Sequence, residues 1–168
     1  MKVGLLADTH DRLPAIEALL RRMAEREVGV VLHAGDFCSP FALRPFIDAQ
    51  IAVAGVFGKN DGDHQGLRAK AEQALALELF ESPHSFEFGG KRILVVHDIG
   101  DVNDRSIEGH QLVVHGCTHR QEQVRRGDTL VVNPGEGCGW LYGAPRAAIV
   151  DLDTLEVEMI ELDGDWER

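Results

Sequence analysis

Five short stretches of the chain place histidine, aspartate, asparagine or cysteine after runs of apolar residues. They are ADTH at residues 7–10, HAGD at 33–36, KND at 59–61, HD at 97–98 and CTH at 117–119. Imidazole nitrogens and carboxylate oxygens together suit manganese, iron, zinc or nickel, and suit neither calcium nor a site built from thiolates alone. The residue types therefore predict a site for a divalent transition metal.

No single stretch establishes this site. The spacing of Asp8 and His10 also suits a turn in which polar side chains bond their own backbone. A lone histidine after a strand is more often a structural residue than a metal ligand. Several such stretches at one sheet edge favour a metal site. Carboxylates and imidazoles gathered at one buried edge cost several kcal/mol unless a cation neutralises them.

Hydrophobic patterns predict the elements that position these residues. Apolar runs predict strands over residues 3–7, 29–32, 51–57, 93–96 and 112–114. Apolar side chains at helical spacing and a proline in the first turn predict an amphipathic helix over residues 14–28. Strand alternating with helix predicts a parallel sheet, and the loops at the carboxyl ends of its strands meet at one edge.

The remaining segments complete the expected fold. A second helix is expected to begin at Ser39 and Pro40 and to be bent or shortened by Pro45, and a third covers residues 66–80. Turn residues predict antiparallel hairpins over the segments 85–96, 123–132 and 147–162. We therefore expect an α/β fold: a four-layer α/β/β/α sandwich of two mixed sheets flanked by helices. It forms a single domain over residues 1–168, with 163–168 as a frayed tail.

Charge and cysteine usage narrow the classes of partner. Residues 151–168 hold eight acidic residues and one base, so they carry −7 of the net charge of −11. An acidic chain is not expected to bind nucleic-acid backbones, which requires clustered Lys and Arg. Three cysteines, with no apolar span or leader sequence, predict reduced thiols and a cytoplasmic protein that does not enter a membrane.

The ordered motifs ADTH, AGDF, GKND, VVHD and GCTH resemble the signature of the calcineurin-like metallophosphoesterases over nearly the full chain. HAGDF and VVNPGE are similar to its small, single-domain YfcE-like phosphodiesterase branch. The resemblance implies that Asp8, His10, Asp36 and His119 hold one metal, and that Asp36 bridges to a second metal bound by His97. It implies hydrolysis of a small phosphodiester or phosphomonoester by a metal-activated hydroxide, with one or two ions per chain.

The sequence departs from this family at the second metal. Lys59 stands where the family has a ligand asparagine, and Cys117 stands where it has a ligand histidine. Asp98 replaces a glycine that often follows the lone His97. The departures therefore cluster at the second metal, whereas the four implied ligands of the first are all present.

Three explanations of these departures are open. Asn60 could serve as a ligand only if its loop were rebuilt, because successive side chains of an extended segment point in different directions. Cys117 could bind as a thiolate in a softer site that favours zinc. The ammonium of Lys59 could occupy the second site, paired with Asp36 or Asp98. This third explanation is favoured, because a 1+/2+ pair about 4 Å apart is repelled by roughly 8 kcal/mol at an effective dielectric of about 20.

These considerations fix the candidate residues. The candidate metal ligands are Asp8, His10, Asp36, His97, Cys117 and His119. The candidate catalytic residues are Asp36, Lys59, Asn60 and His97, and the candidates for substrate contact are Asn60 and His64. His33, His110 and His115 are expected to be structural. The glycine-rich NPGEGCG at residues 133–139 suits a phosphate-binding loop and a tight turn equally well.

Two functions follow from the sequence. The first is a metal-dependent phosphoesterase that acts on a small phosphoester, with an oligomeric state left open. The alternative is a non-catalytic metal-binding or scaffold protein, since this family includes scaffold subunits such as the small subunit of the retromer. The complete first metal site favours the enzyme.

Overall fold

The computed structural model describes residues 1–74, 76–164 and 166. These residues form one sheet of six strands and one of five. The first has the order β11-β10-β1-β2-β3-β4, and the second has the order β5-β6-β7-β9-β8. The strands are β1 (Lys2–Leu6), β2 (Val30–His33), β3 (Ala52–Val56), β4 (Leu77–Phe80), β5 (His84–Phe88), β6 (Lys91–Val95), β7 (Leu112–Val114), β8 (Gln121–Arg126), β9 (Thr129–Pro134), β10 (Arg146–Asp151) and β11 (Glu156–Glu161).

Both sheets are mixed. Strands β1 to β4 run parallel to one another, as do β6, β7 and β9. The flanking strands β10, β11, β5 and β8 pair antiparallel. The carboxyl ends of both parallel groups meet, as shown by the hydrogen bond from the Cys117 N–H to Asp8 Oδ1 (3.3 Å). The polar stretches after these strands therefore share one edge of the molecule.

Three separate groups of buried side chains define four layers. One lies between the six-stranded sheet and the helices α1 (Leu13–Ala24), α2 (Arg44–Asp48) and α3 (His64–Ala71). The second lies between the two sheets, and the third lies between the five-stranded sheet and α4 (Asp104–Glu108). The predicted four-layer sandwich of two mixed sheets with flanking helices is confirmed.

The first two helices follow the sequence pattern with shifted ends. Helix α1 has Pro14 in its first turn and buries Ile16, Leu19, Leu20 and Met23, but it ends at Ala24, four residues before the predicted end. The segment begun by Pro40 divides into a 3-10 turn, Pro40–Leu43, and the short α2, which has Pro45 in its first turn. The proline therefore shortens the second helix, as expected.

The helix predicted over residues 66–80 is wrong in its second half. Helix α3 ends at Ala71, and Leu77–Phe80 form β4, which pairs parallel to β3; residue 75 lies outside the described residues. Leu77 and Leu79 are buried while Glu78 is exposed, which is the alternation of a strand. The open edge of β3 thus overrides the helical preference of an Ala- and Leu-rich sequence.

The three predicted hairpins are present as β5–β6, β8–β9 and β10–β11. Gly89 and Gly90 turn the first with φ of 56° and 70°, a conformation that glycine adopts without strain. Of the predicted frayed tail, residues 165, 167 and 168 lie outside the described residues, and Trp166 packs against the Arg12 guanidinium at 4.8 Å. Among the described helices, none has the length and apolar character needed to cross a membrane.

Candidate metal centre

Four loops bring five of the predicted ligands together. Asp8 and His10 follow β1, Asp36 follows β2, His97 follows β6 and His119 follows β7. Their donor atoms form two overlapping groups, Asp8 with His10 and His119, and Asp8 with Asp36 and His97. Within each group the donor atoms lie within 4.8 Å of one another. We call these five residues the metal-ligand cluster.

The contacts inside the cluster are too long for good hydrogen bonds. Asp36 Oδ2 lies 3.5 Å from Nε2 of His10 and 3.5 Å from Nε2 of His97. His119 Nε2 lies 3.8 Å from Asp8 Oδ1, and the rings of His10 and His119 stack with centroids 5.1 Å apart. Donor atoms at these separations face a common space without satisfying one another.

Three buried polar atoms of the cluster lack a hydrogen-bond partner among the described residues. They are Asp8 Oδ2, His10 Nε2 and His97 Nε2. A buried polar atom without a partner costs about 1–3 kcal/mol, so three together are not expected without compensation. A divalent transition metal accepts carboxylate oxygen and imidazole nitrogen, so the residues present fit such an ion.

Burial shapes the charge state of the cluster. Burial raises the pKa of Asp8 to about 6, against the opposing effects of His119 and His97. Burial also lowers the pKa of His10, although the nearby Asp36 acts in the opposite direction. The cluster is therefore a place where uncompensated charge is costly, and where a neutral His10 imidazole is favoured as a ligand.

Each histidine of the cluster is held by its Nδ1 atom, which leaves Nε2 facing the other ligands. His97 Nδ1 donates to the Ala34 carbonyl at 2.8 Å, and His119 Nδ1 donates to Glu136 Oε2 at 2.9 Å. His10 Nδ1 lies 3.2 Å from Cys38 Sγ. Such outer contacts fix the ring orientation and the tautomer of metal-binding histidines.

Two of these supporting residues, Glu136 and Cys38, were not predicted from the sequence. Glu136 is fully buried and also accepts hydrogen bonds from the N–H groups of Leu141 and Tyr142. Burial alone raises the pKa of Glu136, but the bonds from His119, Tyr142 and Leu141 outweigh it and leave the pKa below its ordinary value. Its one sequence signal is an acidic residue inside the glycine-rich NPGEGCG, whereas Cys38 gives none.

The third loop supports Asp36. The Asn60 backbone N–H donates to Asp36 Oδ1, and its side-chain Nδ2 donates to Asp36 Oδ2, both at 2.8 Å. Asp61 accepts from the N–H groups of Asp36 (3.0 Å), Gly58 (2.7 Å) and Cys38 (2.7 Å). Asn60 therefore presents the nitrogen of its amide to the cluster, and an amide nitrogen that donates a proton is not a metal ligand.

Lys59 and Cys117 lie together beside the cluster. The Lys59 ammonium donates to Asp98 Oδ2 and lies 3.5 Å from Cys117 Sγ, which is itself 3.7 Å from Asp98 Oδ2. The hydrogen bond from Lys59 lowers the pKa of Asp98 to about 2, and the same bond raises the pKa of Lys59. We call Lys59, Asp98 and Cys117 the lysine triad.

The backbone around the cluster is held in uncommon conformations. Asp8, Asp36, Cys117 and His119 have φ of 52°, 63°, 67° and 62°, in the left-handed region that side chains other than glycine rarely adopt. Such residues cost of the order of 1–3 kcal/mol each and concentrate at functional sites. A Cβ at Gly58 would lie 2.3 Å from Asp36 Oδ1, so only glycine allows this loop to approach the cluster.

The other histidines have partners outside the cluster. His64 stacks on Phe57 at 3.9 Å and lies 3.6 Å from Glu81, and its described contacts include no cluster residue. His33 contacts Thr9 and Phe37. His110 contacts Ser85 and the carbonyl of Ser106, and His115 contacts Glu122. These contacts agree with structural roles for His33, His110 and His115.

Comparisons with known proteins match this architecture. The phosphodiesterase MJ0936 of Methanocaldococcus jannaschii is 30% identical over 166 residues, which span 97% of this chain and 100% of that protein. The solved structure of an archaeal phosphodiesterase is also 30% identical and superposes with a TM-score of 0.89, covering 96% of this chain and 100% of its own.

Two more distant structures share the fold alone. YfcE, a phosphoesterase from E. coli, is 16% identical with a TM-score of 0.69, and a mutant Vps29 from Entamoeba histolytica is 17% identical with a TM-score of 0.67. Each alignment covers 97% of this chain and 100% of the other. A family model for the calcineurin-like phosphoesterase superfamily domain matches residues 1–155. The chain therefore belongs to the calcineurin-like phosphoesterase superfamily.

Proposed function

We propose that this protein is a metal-dependent phosphodiesterase that hydrolyses a small phosphoester. The observation that carries the proposal is the set of three buried, unpartnered donor atoms on Asp8, His10 and His97, which fits a bound transition metal. The full-length similarity to an archaeal phosphodiesterase supports phosphoester hydrolysis as the reaction.

Some residues of the site are proposed to bind the ion, and others orient those ligands. Asp8, His10, Asp36, His97 and His119 are the proposed ligands, and Glu136, Cys38 and Ala34 orient the three imidazoles. When bound, such an ion supplies Lewis acidity to a phosphoryl oxygen and lowers the pKa of water. Asn60 holds both oxygens of Asp36 in place, so its proposed contribution is to orient the carboxylate that faces His10 and His97.

The finer assignments are also proposals. Manganese, zinc, iron and nickel all suit a donor set of imidazole and carboxylate. The free thiols of Cys38, Cys117 and Cys138 are typical of a reducing compartment, which supports a cytoplasmic location. The acidic net charge of −11 favours a small phosphoester over a nucleic-acid backbone as the substrate.

The test measures hydrolysis of bis(p-nitrophenyl) phosphate after loading with each of the four metals, against a chelated control. We expect turnover with at least one metal, and we expect Asp8→Ala and His119→Ala each to remove both the bound metal and the activity. His84→Gln is the matched control, since His84 lies in β5, stacks on Phe80 and contacts no described cluster residue. Full activity in either alanine variant would overturn the proposal.

Absence of turnover would favour the alternative function. If well-folded, metal-loaded protein hydrolyses neither this diester nor a broad panel of phosphomonoesters and phosphodiesters with any of the four metals, the non-catalytic metal-binding or scaffold function replaces the enzyme.

A further inference from the structure

The Lys59 ammonium is fixed at the edge of the metal-ligand cluster by the loops that carry the ligands. Its partner Asp98 directly follows His97, and its neighbour Cys117 precedes His119 by two residues. A flexible lysine held by two partners has a defined position. These contacts place the positive charge of Lys59 beside the cluster, because the Cys117 N–H also donates to Asp8 Oδ1 at 3.3 Å.

The same ammonium remains accessible from outside. The side chain of Lys59 is 58% exposed, whereas that of Asp36 inside the cluster is only 2% exposed. An ammonium has three N–H donors, and the described contacts of Lys59 use two of them, on Asp98 and Cys117. One donor is left for an anion that approaches the cluster from solvent.

The described donor atoms offer few ligands for a second ion. The group Asp8, Asp36 and His97 shares Asp8 with the group Asp8, His10 and His119, so a second ion would have only Asp36 and His97 as ligands outside the latter group. Nearby groups that could complete a second site are already engaged: Asn60 donates to Asp36, and Cys117 lies against Lys59 and Asp98. A second divalent ion at Cys117 would also lie next to the lysine charge, which opposes its binding.

We infer that Lys59 is a catalytic residue that supplies the second positive charge of this site, so that the protein holds one transition metal and binds a phosphoryl group between that metal and the ammonium. The inference rests on the proposed phosphodiesterase function. No bond to Lys59 is made or broken, because its role is to attract a phosphoryl oxygen and to stabilise the negative charge that develops there.

The first experiment counts metal ions by elemental analysis after loading with excess manganese and removal of unbound metal. We expect one ion per chain in the native protein, and we expect a rise toward two in the double variant Lys59→Asn with Cys117→His, which replaces the ammonium and the thiol by metal-binding side chains. Two ions in the native protein would overturn the inference. One ion in both folded proteins would overturn it too, because Lys59 and Cys117 would not be what excludes the second.

The second experiment measures the affinity of the metal-loaded protein for inorganic phosphate by calorimetry, and it does not depend on the double variant folding. Lys59→Gln should weaken phosphate binding about tenfold or more, the loss of one charge-assisted hydrogen bond. Lys59→Arg should restore part of the affinity. Lys70→Gln is the matched control, since Lys70 lies on α3 and bonds Gln73. Equal affinity in the native and Lys59→Gln proteins would overturn the inference.

The outcomes separate this inference from the function on which it rests. Two manganese ions with normal diester hydrolysis would leave the phosphodiesterase standing and remove the role of Lys59. One ion and lysine-dependent phosphate binding without turnover of any phosphoester would remove the enzyme and leave Lys59 as part of an anion-binding site.

Discussion

Nδ1 of His119 donates a hydrogen bond of 2.9 Å to Oε2 of Glu136, and the same carboxylate accepts the N–H groups of Leu141 and Tyr142. One buried acid therefore sets the orientation of a proposed metal ligand and the path of the loop beside it. Because the imidazole proton lies on Nδ1, the lone pair of Nε2 is free for the cluster. In the proposed site, Glu136 would act on the metal through His119 and is a positioning residue.

Glu136→Gln should weaken metal binding by about 10- to 100-fold. The neutral amide oxygen is a poorer acceptor than a carboxylate, and the amide NH₂ group would face one of the three N–H groups that now donate to Glu136. The measurement is competition with a coloured chelator, with circular dichroism to verify the fold. Glu122→Gln is the control, since Glu122 accepts a similar bond from His115 at 3.1 Å outside the cluster. Unchanged metal affinity in Glu136→Gln would show that His119 does not need this carboxylate.

Gly58→Ala should disrupt the metal-ligand cluster, whereas Gly62→Ala in the same loop should not. An added Cβ at Gly58 lies 2.3 Å from Asp36 Oδ1 and 2.8 Å from His97 Nδ1, so the loop or the ligands must move. At Gly62 nothing lies within 4 Å of the added Cβ. We expect a loss of about 1–3 kcal/mol in the free energy of unfolding and a lower metal content for Gly58→Ala.

The Gly62→Ala variant should stay within about 0.5 kcal/mol of the native free energy of unfolding. Urea denaturation and elemental analysis measure both effects. If the two variants behave alike, close approach at Gly58 is not what limits this loop.

Much of the fold can be predicted from the local pattern of apolar and polar residues. The buried strands β1, β2 and β3 are short apolar runs that end in polar residues, and parallel order brings such ends together. The local pattern does not predict strand β4, because an edge strand is stabilised by pairing with a neighbouring strand, here β3. In the sequence alone, Leu77 and Leu79 are compatible with a helix. In the folded chain they are buried residues of β4, which pairs with β3.

The candidate site was less completely predictable than the fold. The resemblance to the phosphoesterase signature implies Asp8, His10, Asp36, His97 and His119 as ligands, and the structure brings these side chains together. Glu136 lies 17 residues from His119 along the chain, and only the tertiary path of the glycine-rich turn joins them. The direction of a side chain is also absent from sequence spacing, and only the structure shows that His64, a candidate for substrate contact, stacks on Phe57.

Beneath the metal-ligand cluster, His33 forms a buried network that requires a neutral imidazole. Gly35 donates its N–H to His33 Nδ1 at 3.1 Å, so the ring proton is on Nε2, which lies 3.1 Å from Thr9 Oγ1. The ring also stacks on Phe37 at a centroid distance of 3.7 Å. A second proton on Nδ1 would face the Gly35 N–H, and burial, with His97 and His10 nearby, holds the pKa of His33 well below its ordinary value of 6.5.

This network predicts how stability depends on pH. Below pH 6.5 the unfolded chain binds a proton at residue 33 and the folded chain does not, so the stability contributed by neutral His33 is lost as the pH falls toward its folded pKa. One such proton gives a slope of about 1.4 kcal/mol per pH unit. In chelated protein, urea denaturation between about pH 7 and pH 5 should therefore show a smaller slope in His33→Gln than in the native chain, and the difference should approach this amount toward pH 5. The variant loses stability at every pH because its hydrogen bonds and its packing on Phe37 change, so the slope rather than the midpoint is the diagnostic quantity. Equal slopes would mean that His33 takes up a proton in the folded protein, contrary to the hydrogen bond from Gly35.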